Sequence, residues 1–310
     1  MSFHQELISR FPIRKTGVQK DAFLAYAADE ARKMGYTAQV EDIKNNRNLI
    51  VGDPDSAKVV FTAHYDTPAT MFVPNFITPR NIPVYILYQL IPIGLILALS
   101  AAAICLCKYV LGITDFNALY AVFWVCYFGS LMLMLLGPAN KNNHNDNTSG
   151  VAVLLEMMQK LPESARAHTA FIFFDNEEKH MQGSGSFAKA HKDVKQNTLI
   201  VNLDCVGFGD HLFTLAKKGA QQHALYPLFT ASLQPTDGKT MEHFRSSSSV
   251  YPSDQASFRC GIAICAAKRV KGVGYYISRI HTNRDTECDQ RNLDYLSDSL
   301  CAFAQSIDQK

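Results

Sequence analysis

Residues 58–66 read KVVFTAHYD. Val59, Val60, Phe61 and Ala63 form a near-continuous apolar run of strand length, the pattern of a strand covered on both faces, and the run ends in an imidazole and a carboxylate. Two further runs repeat it, HTAFIFFDNEE at 168–178 and TLIVNLDCVGF at 198–208. Helical patterns lie between them, at 149–162 (SGVAVLLEMMQKLP) and around 184–192. Strands that alternate with helices predict an α/β fold with a mixed, largely parallel central sheet flanked by helices. Working outward, residues 4–35 read as helix, with Phe23, Ala27 and Ala31 on one stripe and Gly35 as its stop. Residues 37–53 predict a hairpin that turns at Asn45–Asn46. Later come a strand at 212–216, a helix over 220–232, strands at 262–268 and 274–280, and a last helix over 290–308. The run SSSS at 246–249 reads as loop.

Two segments do not fit a soluble α/β chain. Residues 84–107 (VYILYQLIPIGLILALSAAAICLC) and 118–137 (ALYAVFWVCYFGSLMLMLLG) contain no charged residue. As helices they would extend about 36 and 30 Å, enough to cross a hydrocarbon core. Tyr85, Tyr88, Tyr109, Tyr120 and Trp124 supply amphipathic rings, several of them near the ends. A pair of buried core helices is the alternative, but two this apolar would need a larger protein to cover them. The expected organisation is a catalytic body from residues 1–74 and 141–310 and an inserted transmembrane hairpin over 75–140. Gly94, Ala98 and Ala102 form a stripe of small residues that suits close helix packing, within the hairpin or in a homodimer.

Bulk properties narrow the class. With 310 residues, 47% of them hydrophobic, the chain can bury a large core. A net charge of +2 gives no basic field for nucleic acid. Eight cysteines without a CxxC pair or dense spacing favour reduced thiols and a cytosolic body. The opening MSFHQELISRFPIRK lacks an apolar signal core, so no signal peptide is expected.

The strand ends carry the chemistry. His64 and Asp66 point the same way in an extended chain, so Asp66 can fix one tautomer of His64 and free its other nitrogen for a metal. HNDNTSG (144–150) opens a helix with Asp146. Glu177 and Glu178 lie side by side at the end of the second run, where they would raise each other's pKa unless a metal takes one while the other handles a proton. Asp204 ends the third run, and His281 sits in RIHTNRDT (279–286). Each has a plain structural reading alone: a satisfied strand-end histidine, a helix cap, a surface carboxylate. Together, His64, Asp146, Glu178, Asp204 and His281 lie on one sheet edge, and two imidazoles with three carboxylates suit two zinc ions, or cobalt or manganese in their place.

The order His64-Tyr65-Asp66, Asp146-Asn147-Thr148-Ser149-Gly150, Glu177-Glu178 with Gly183-Ser184, Asp204, and His281-Thr282 with Asp285-Thr286 resembles that of the co-catalytic zinc aminopeptidases, metallopeptidase family 28. Ser253-Asp254, Phe258 and Gly261-Ile262 extend the likeness, as does the opening LISRFPIRKTGVQ. The resemblance implies that His64, Asp146 and Asp204 hold one zinc and that Asp146, Glu178 and His281 hold the other. It makes Glu177 the general base and Asp66 the orienter of His64. Tyr251 falls near the place where some relatives set a phenol beside the oxyanion. Relatives join the first ligand to the bridging one by a short loop; here 82 positions separate His64 from Asp146, and the apolar hairpin occupies them. At His180-Met181 relatives commonly show Gly and Leu. The expectation is a membrane-anchored zinc aminopeptidase facing the cytosol and acting on peptides, hydrophobic or membrane-associated ones included. Its alternatives are a carboxypeptidase or deacylase, a glutaminyl-cyclase-like transferase, and a non-catalytic membrane scaffold.

Overall fold

The computed structural model describes residues 1–236 and 238–307. The strands are β1 (Ala38–Ile43), β2 (Asn46–Val51), β3 (Val59–His64), β4 (Thr169–Phe174), β5 (Leu199–Leu203), β6 (His211–Ala216), β7 (Thr240–Arg245), β8 (Gly261–Val270) and β9 (Gly274–Tyr276). They join in one sheet of order β1-β2-β4-β3-β5-β8-β6-β7, with β9 on β8. The central strands β4, β3, β5 and β8 are parallel, β2 and β6 flank them antiparallel, and β7 runs parallel to β6. This is the mixed α/β architecture that the alternating pattern predicts.

The helices are α1 (Phe3–Arg10), α2 (Gly17–Lys33), α3 (Ile82–Tyr109), α4 (Phe116–Leu136), α5 (Thr148–Lys160), α6 (Glu163–Arg166), α7 (Gln182–Ala190), α8 (Lys192–Asn197), α9 (Lys218–Gln221), α10 (Tyr226–Ser232) and α11 (Gln290–Ser306). β3 shows why both sheet faces are apolar. Val59, Phe61 and Ala63 enter the core beneath α1, α2, α5 and α11, while Val60 joins Phe187 and Phe258 on the other face. β4 alternates likewise, with Phe171 and Phe173 on the first face and Ile172 and Phe174 on the second.

Several boundaries differ from expectation. The helix over 4–35 is two helices, since Pro12 cannot donate an amide and pushes the residue before it towards extended backbone. Thr16 then restarts the helix with a capping box to Gln19. The helix over 220–232 is likewise two, α9 and α10, with the turn at His223. The second apolar run leaves the sheet at Phe174, the third at Leu203, and β9 stops at Tyr276. Strand β7 carries little apolar signal and was not expected. The hairpin turns at Lys44 and Asn45, both in the left-handed region (φ 55° and 65°). Position 308 of the last helix lies outside the described residues.

The two apolar helices pack on each other; α3 runs two residues beyond the predicted span at each end, and α4 begins two residues earlier and ends one residue earlier than predicted. Only Ile96 and Ser100 are buried in α3, and none of α4 is. They are therefore not core helices of the α/β body. The hairpin is lopsided. The last two turns of α4 lie beside Pro92–Leu99, so the first ten residues of α3 run past the end of α4. There Tyr85 packs on the cluster of Phe213, Tyr275 and Ile277, and the Tyr88 hydroxyl donates to the Pro74 carbonyl at 2.7 Å.

Candidate metal and catalytic centre

The carboxyl ends of β3, β4 and β5 and the start of α5 bring the predicted residues to one place, where open α/β sheets bind their ligands. Asp146 is central. Its Oδ1 lies 3.3 Å from His64 Nε2 and its Oδ2 lies 3.1 Å from His281 Nε2. His64 Nε2 also lies 3.8 Å from Asp204 Oδ1, and His281 Nε2 lies 3.3 Å from Glu178 Oε2. Three triads result: His64–Asp146–Asp204 and Asp146–Glu178–His281 share the central aspartate, and His64–Glu177–Glu178 is the third; in each the ligand atoms lie within 4.8 Å of one another. Glu178 Oε1 and Asp204 Oδ1 are buried without a hydrogen-bond partner. Orphaned anionic oxygens facing two imidazoles fit divalent cations bound by nitrogen and oxygen, zinc among them.

The surrounding bonds hold this set. The His64 Nδ1 lies 3.2 Å from the Asp66 backbone carbonyl and 3.5 Å from its carboxylate. A carbonyl only accepts, so Nδ1 carries the proton and Nε2 is left to face the site. The Asp66 carboxylate has a second task, since its oxygens accept the Glu177 and Glu178 amides at 3.0 and 3.3 Å. Asp285 does the same for the central loop, accepting the Asn145 and Asp146 amides at 2.9 and 3.0 Å. Asn147 ties that loop to β5 through the Leu203 carbonyl at 2.8 Å, and the Asp146–Asn147 peptide bond is cis. Arg14, fully buried, donates to the Tyr65 carbonyl and to Thr148 Oγ1, joining the two ligand loops.

Charge explains the titration pattern. Burial lowers the affinity of His64 for a proton, but the hydrogen bonds it donates to Asp146, Asp204 and Asp66 outweigh burial and hold its pKa well above the ordinary value. His281 is raised to about 9, Glu178 and Asp146 overcoming burial. Burial pushes Glu178 up to about 8 against the pull of His281. Glu177 is also raised well above the ordinary value, by burial against the pull of His64 and with the charge of Glu178 adding to it. Asp146 goes the other way, its burial outweighed by both imidazoles. Six carboxyl groups (Asp66, Asp146, Glu177, Glu178, Asp204 and Asp254) against two imidazoles make a site short of positive charge.

A cavity of about 270 Å³ opens onto the triads. Glu177, Glu178, Asp204 and Tyr251 line it, with His180 and Met181 at the position that departs from the family pattern. The Tyr251 hydroxyl is turned to the Asp204 carbonyl, to which it donates at 3.0 Å. Asn75 and Ile77 also line it, from the segment that leads into α3. Ile77 pairs with Ile277, and the Asn75 amide donates to the Ile280 carbonyl at 3.3 Å. No apolar period marks these two residues. Asp254 went without a role in the sequence. It is fully buried, neither oxygen makes a well-formed hydrogen bond, and burial lifts its pKa to about 7 against the pull of His64. Only the pair Ser253-Asp254 hinted at it.

Comparison with known proteins bears on the fold and the family. No curated protein matches the chain by sequence. Among solved structures, Porphyromonas gingivalis glutaminyl cyclase superposes with a TM-score of 0.62 at 16% identity, covering 98% of this chain and 96% of that one. The Legionella pneumophila LapA aminopeptidase gives 0.60 at 13% identity, covering 98% and 70%. A Zn-dependent exopeptidase from Parabacteroides distasonis gives 0.58 at 15%, covering 97% and 95%. At such identities these neighbours share a fold. The sequence itself matches the profile of Peptidase family M28 over residues 137–304, more than half of its length and from the central aspartate loop through α11, so the chain belongs to peptidase family M28.

Proposed function

We propose that this chain is a membrane-anchored zinc aminopeptidase with two metal ions. The observation that carries the proposal is Asp146, whose two oxygens each face a different imidazole, the disposition of a carboxylate shared between two cations. His64, Asp146 and Asp204 would hold one zinc and Asp146, Glu178 and His281 the other. Cobalt or manganese would suit the same donors. When bound, the ions supply Lewis acidity at the scissile carbonyl and make water a nucleophile at neutral pH. Glu177 takes the proton of that water on its carboxylate and returns it to the leaving amine. Asp66 fixes where that carboxylate stands by holding the Glu177 amide. Tyr251 would stand beside the developing oxyanion once its hydroxyl leaves the Asp204 carbonyl, and the 270 Å³ cavity has room for one side chain and its amino group.

In the same proposal α3 and α4 cross a bilayer. Their length, a mean hydropathy of 2.6 and 2.0, and near-complete exposure support it. The catalytic body faces the cytosol, supported by its five free cysteines (Cys205, Cys260, Cys265, Cys288 and Cys301) and by Lys15, whose ammonium donates to the Leu135 carbonyl at the body end of α4. Peptides that are apolar or lie at the membrane are the natural substrates. The second reading, a glutaminyl-cyclase-like transfer, is favoured by glutaminyl cyclases from two organisms among the fold neighbours, which superpose as well as the peptidases do.

The test is to purify the chain in detergent, count its metals, and assay free and N-terminally blocked peptides beside one that begins with glutamine. Two metals per chain and cleavage of free amino termini alone are expected. Cleavage of blocked peptides would select a carboxypeptidase or deacylase. Ammonia release without chain cleavage would select the cyclase. Full metal loading without turnover would leave a scaffold.

A further inference from the structure

A second cavity, of about 330 Å³, lies outside the catalytic centre, at the root of the hairpin. Of its eleven lining residues only Thr70 and Ser130 carry a hydroxyl, and the Ser130 hydroxyl is already spent on the Cys126 carbonyl at 2.7 Å. Nothing in the lining is charged. One wall is the hairpin, with Leu95 and Leu99 from α3 and Leu133 from α4. The other is Met71 and Phe72, and Phe72 is 96% exposed. That second wall belongs to the catalytic body, because the Met71 amide donates to the His281 carbonyl at 2.7 Å and the Thr70 amide to the Pro138 carbonyl.

We propose that this cavity takes one acyl chain of a bilayer lipid. The inference rests on the membrane reading above. Leu95, Leu99 and Leu133, which form its wall, are also about half exposed on the outer surface of the hairpin, so the cavity is continuous with the face that meets lipid. At that depth the abundant apolar species is the lipid tail. A cavity of this volume falls within the range of small-molecule sites, and with the Thr70 hydroxyl as its one side-chain donor not already bonded it favours an apolar ligand over a polar one. The bound chain lies against segment 70–73, four residues before Ile77 in the catalytic cavity.

The test reconstitutes the full chain in vesicles of phosphatidylcholine with brominated acyl chains and reads tryptophan quenching against unbrominated vesicles. Native Trp124 on α4 reports insertion. In a Trp124→Phe background, Phe72→Trp reports the cavity. Both indoles should be quenched. Adding Ser130→Phe, which fills the cavity, should weaken quenching at position 72 by about threefold or more while a small soluble substrate is still turned over. Leu95→Phe is the second filling variant if the first does not fold. Quenched Trp124 with quenching at position 72 indifferent to both fillings overturns the acyl-chain site alone. Unquenched Trp124 overturns the membrane reading and the site with it.

Discussion

Glu177 and Glu178 are adjacent in sequence yet differ in what they face. Glu178 Oε2 looks at His281 within a triad built on Asp146, whereas Glu177 belongs to neither triad of Asp146: it lies within 4.8 Å of His64 and Glu178, gives its amide to Asp66 and lines the cavity. Glu177→Gln should therefore cut turnover by about 10²–10⁴-fold with metal content unchanged, since it removes only a proton acceptor. Glu178→Gln should lower bound metal, read by metal analysis; the reverse pattern would exchange their roles. A different residue sets acid sensitivity. His4 is buried with its Nε2 on the His144 carbonyl at 2.9 Å, and burial, then the charges of His144 and Arg14, hold its pKa down at about 4 although that bond opposes them. The unfolded chain binds this proton from about pH 6.5 downward, and the folded chain only near pH 4. His4 thus costs nothing above pH 6.5, and folded stability falls as pH drops from 6.5 towards 4. Between pH 7 and 4.5 the loss is about 2 kcal/mol. Urea titrations in detergent should show a His4→Leu protein losing less stability than the parent over that interval, and equal losses would remove His4 as the cause.

At the level of elements, the turn between β4 and α7 stands out. Asn176, His180 and Met181 all have positive φ (52°, 66° and 56°). An L-residue there costs about 1–2 kcal/mol, which gives a physical reason for glycine at position 180 in relatives. His180→Gly should raise thermal stability by about 1 kcal/mol and alter KM for bulky substrates more than kcat. A lowered melting temperature would mean that the His180 ring makes contacts worth more than the strain. Gly183 in the next turn has no such freedom, as a Cβ would meet the Asp175 carbonyl. Much of this region was legible beforehand. Buried parallel strands announce themselves as apolar runs, and their chemistry collects where they end, so His64, Glu178 and Asp204 could be read in line. β7 (TMEHFR) could not, because an edge strand needs little apolar sequence and is defined by its pairing with β6. The tasks of Arg14 and Asp285 were silent for a related reason, although the motif order includes Asp285. Their roles exist only once distant segments meet, and no local period marks a residue whose partner lies over a hundred positions away.

For the whole molecule, the lopsided hairpin decides where it can be cut. Residues 75–81 line the catalytic cavity or bind the body, through Ile77 on Ile277, Asn81 on the Val273 carbonyl and Arg80 on Ser248. Replacing 82–137 with a glycine-serine linker of about a dozen residues should therefore give a water-soluble protein active on a small chromogenic substrate. Its activity on a long apolar peptide in liposomes should fall selectively. Equal activity on both substrates would reduce the hairpin to a passive anchor. Strand order has a further consequence, for the sequence of events at the ribosome. β2 and β3 do not touch each other; β4 lies between them, and β5 covers the far side of β3. Both partners are synthesised after α3 and α4. Nascent β3, with His64 at its tip, has no neighbour until more than a hundred further residues have emerged. An apolar strand that waits this long is exposed to aggregation, and the waiting interval is the one in which the two greasy helices leave water. On the membrane reading, insertion comes first and the enzyme is then assembled against the bilayer, so chains stalled with α4 out of the ribosome but β4 still to come should be membrane-bound, yet open to protease throughout the exposed residues outside α3 and α4.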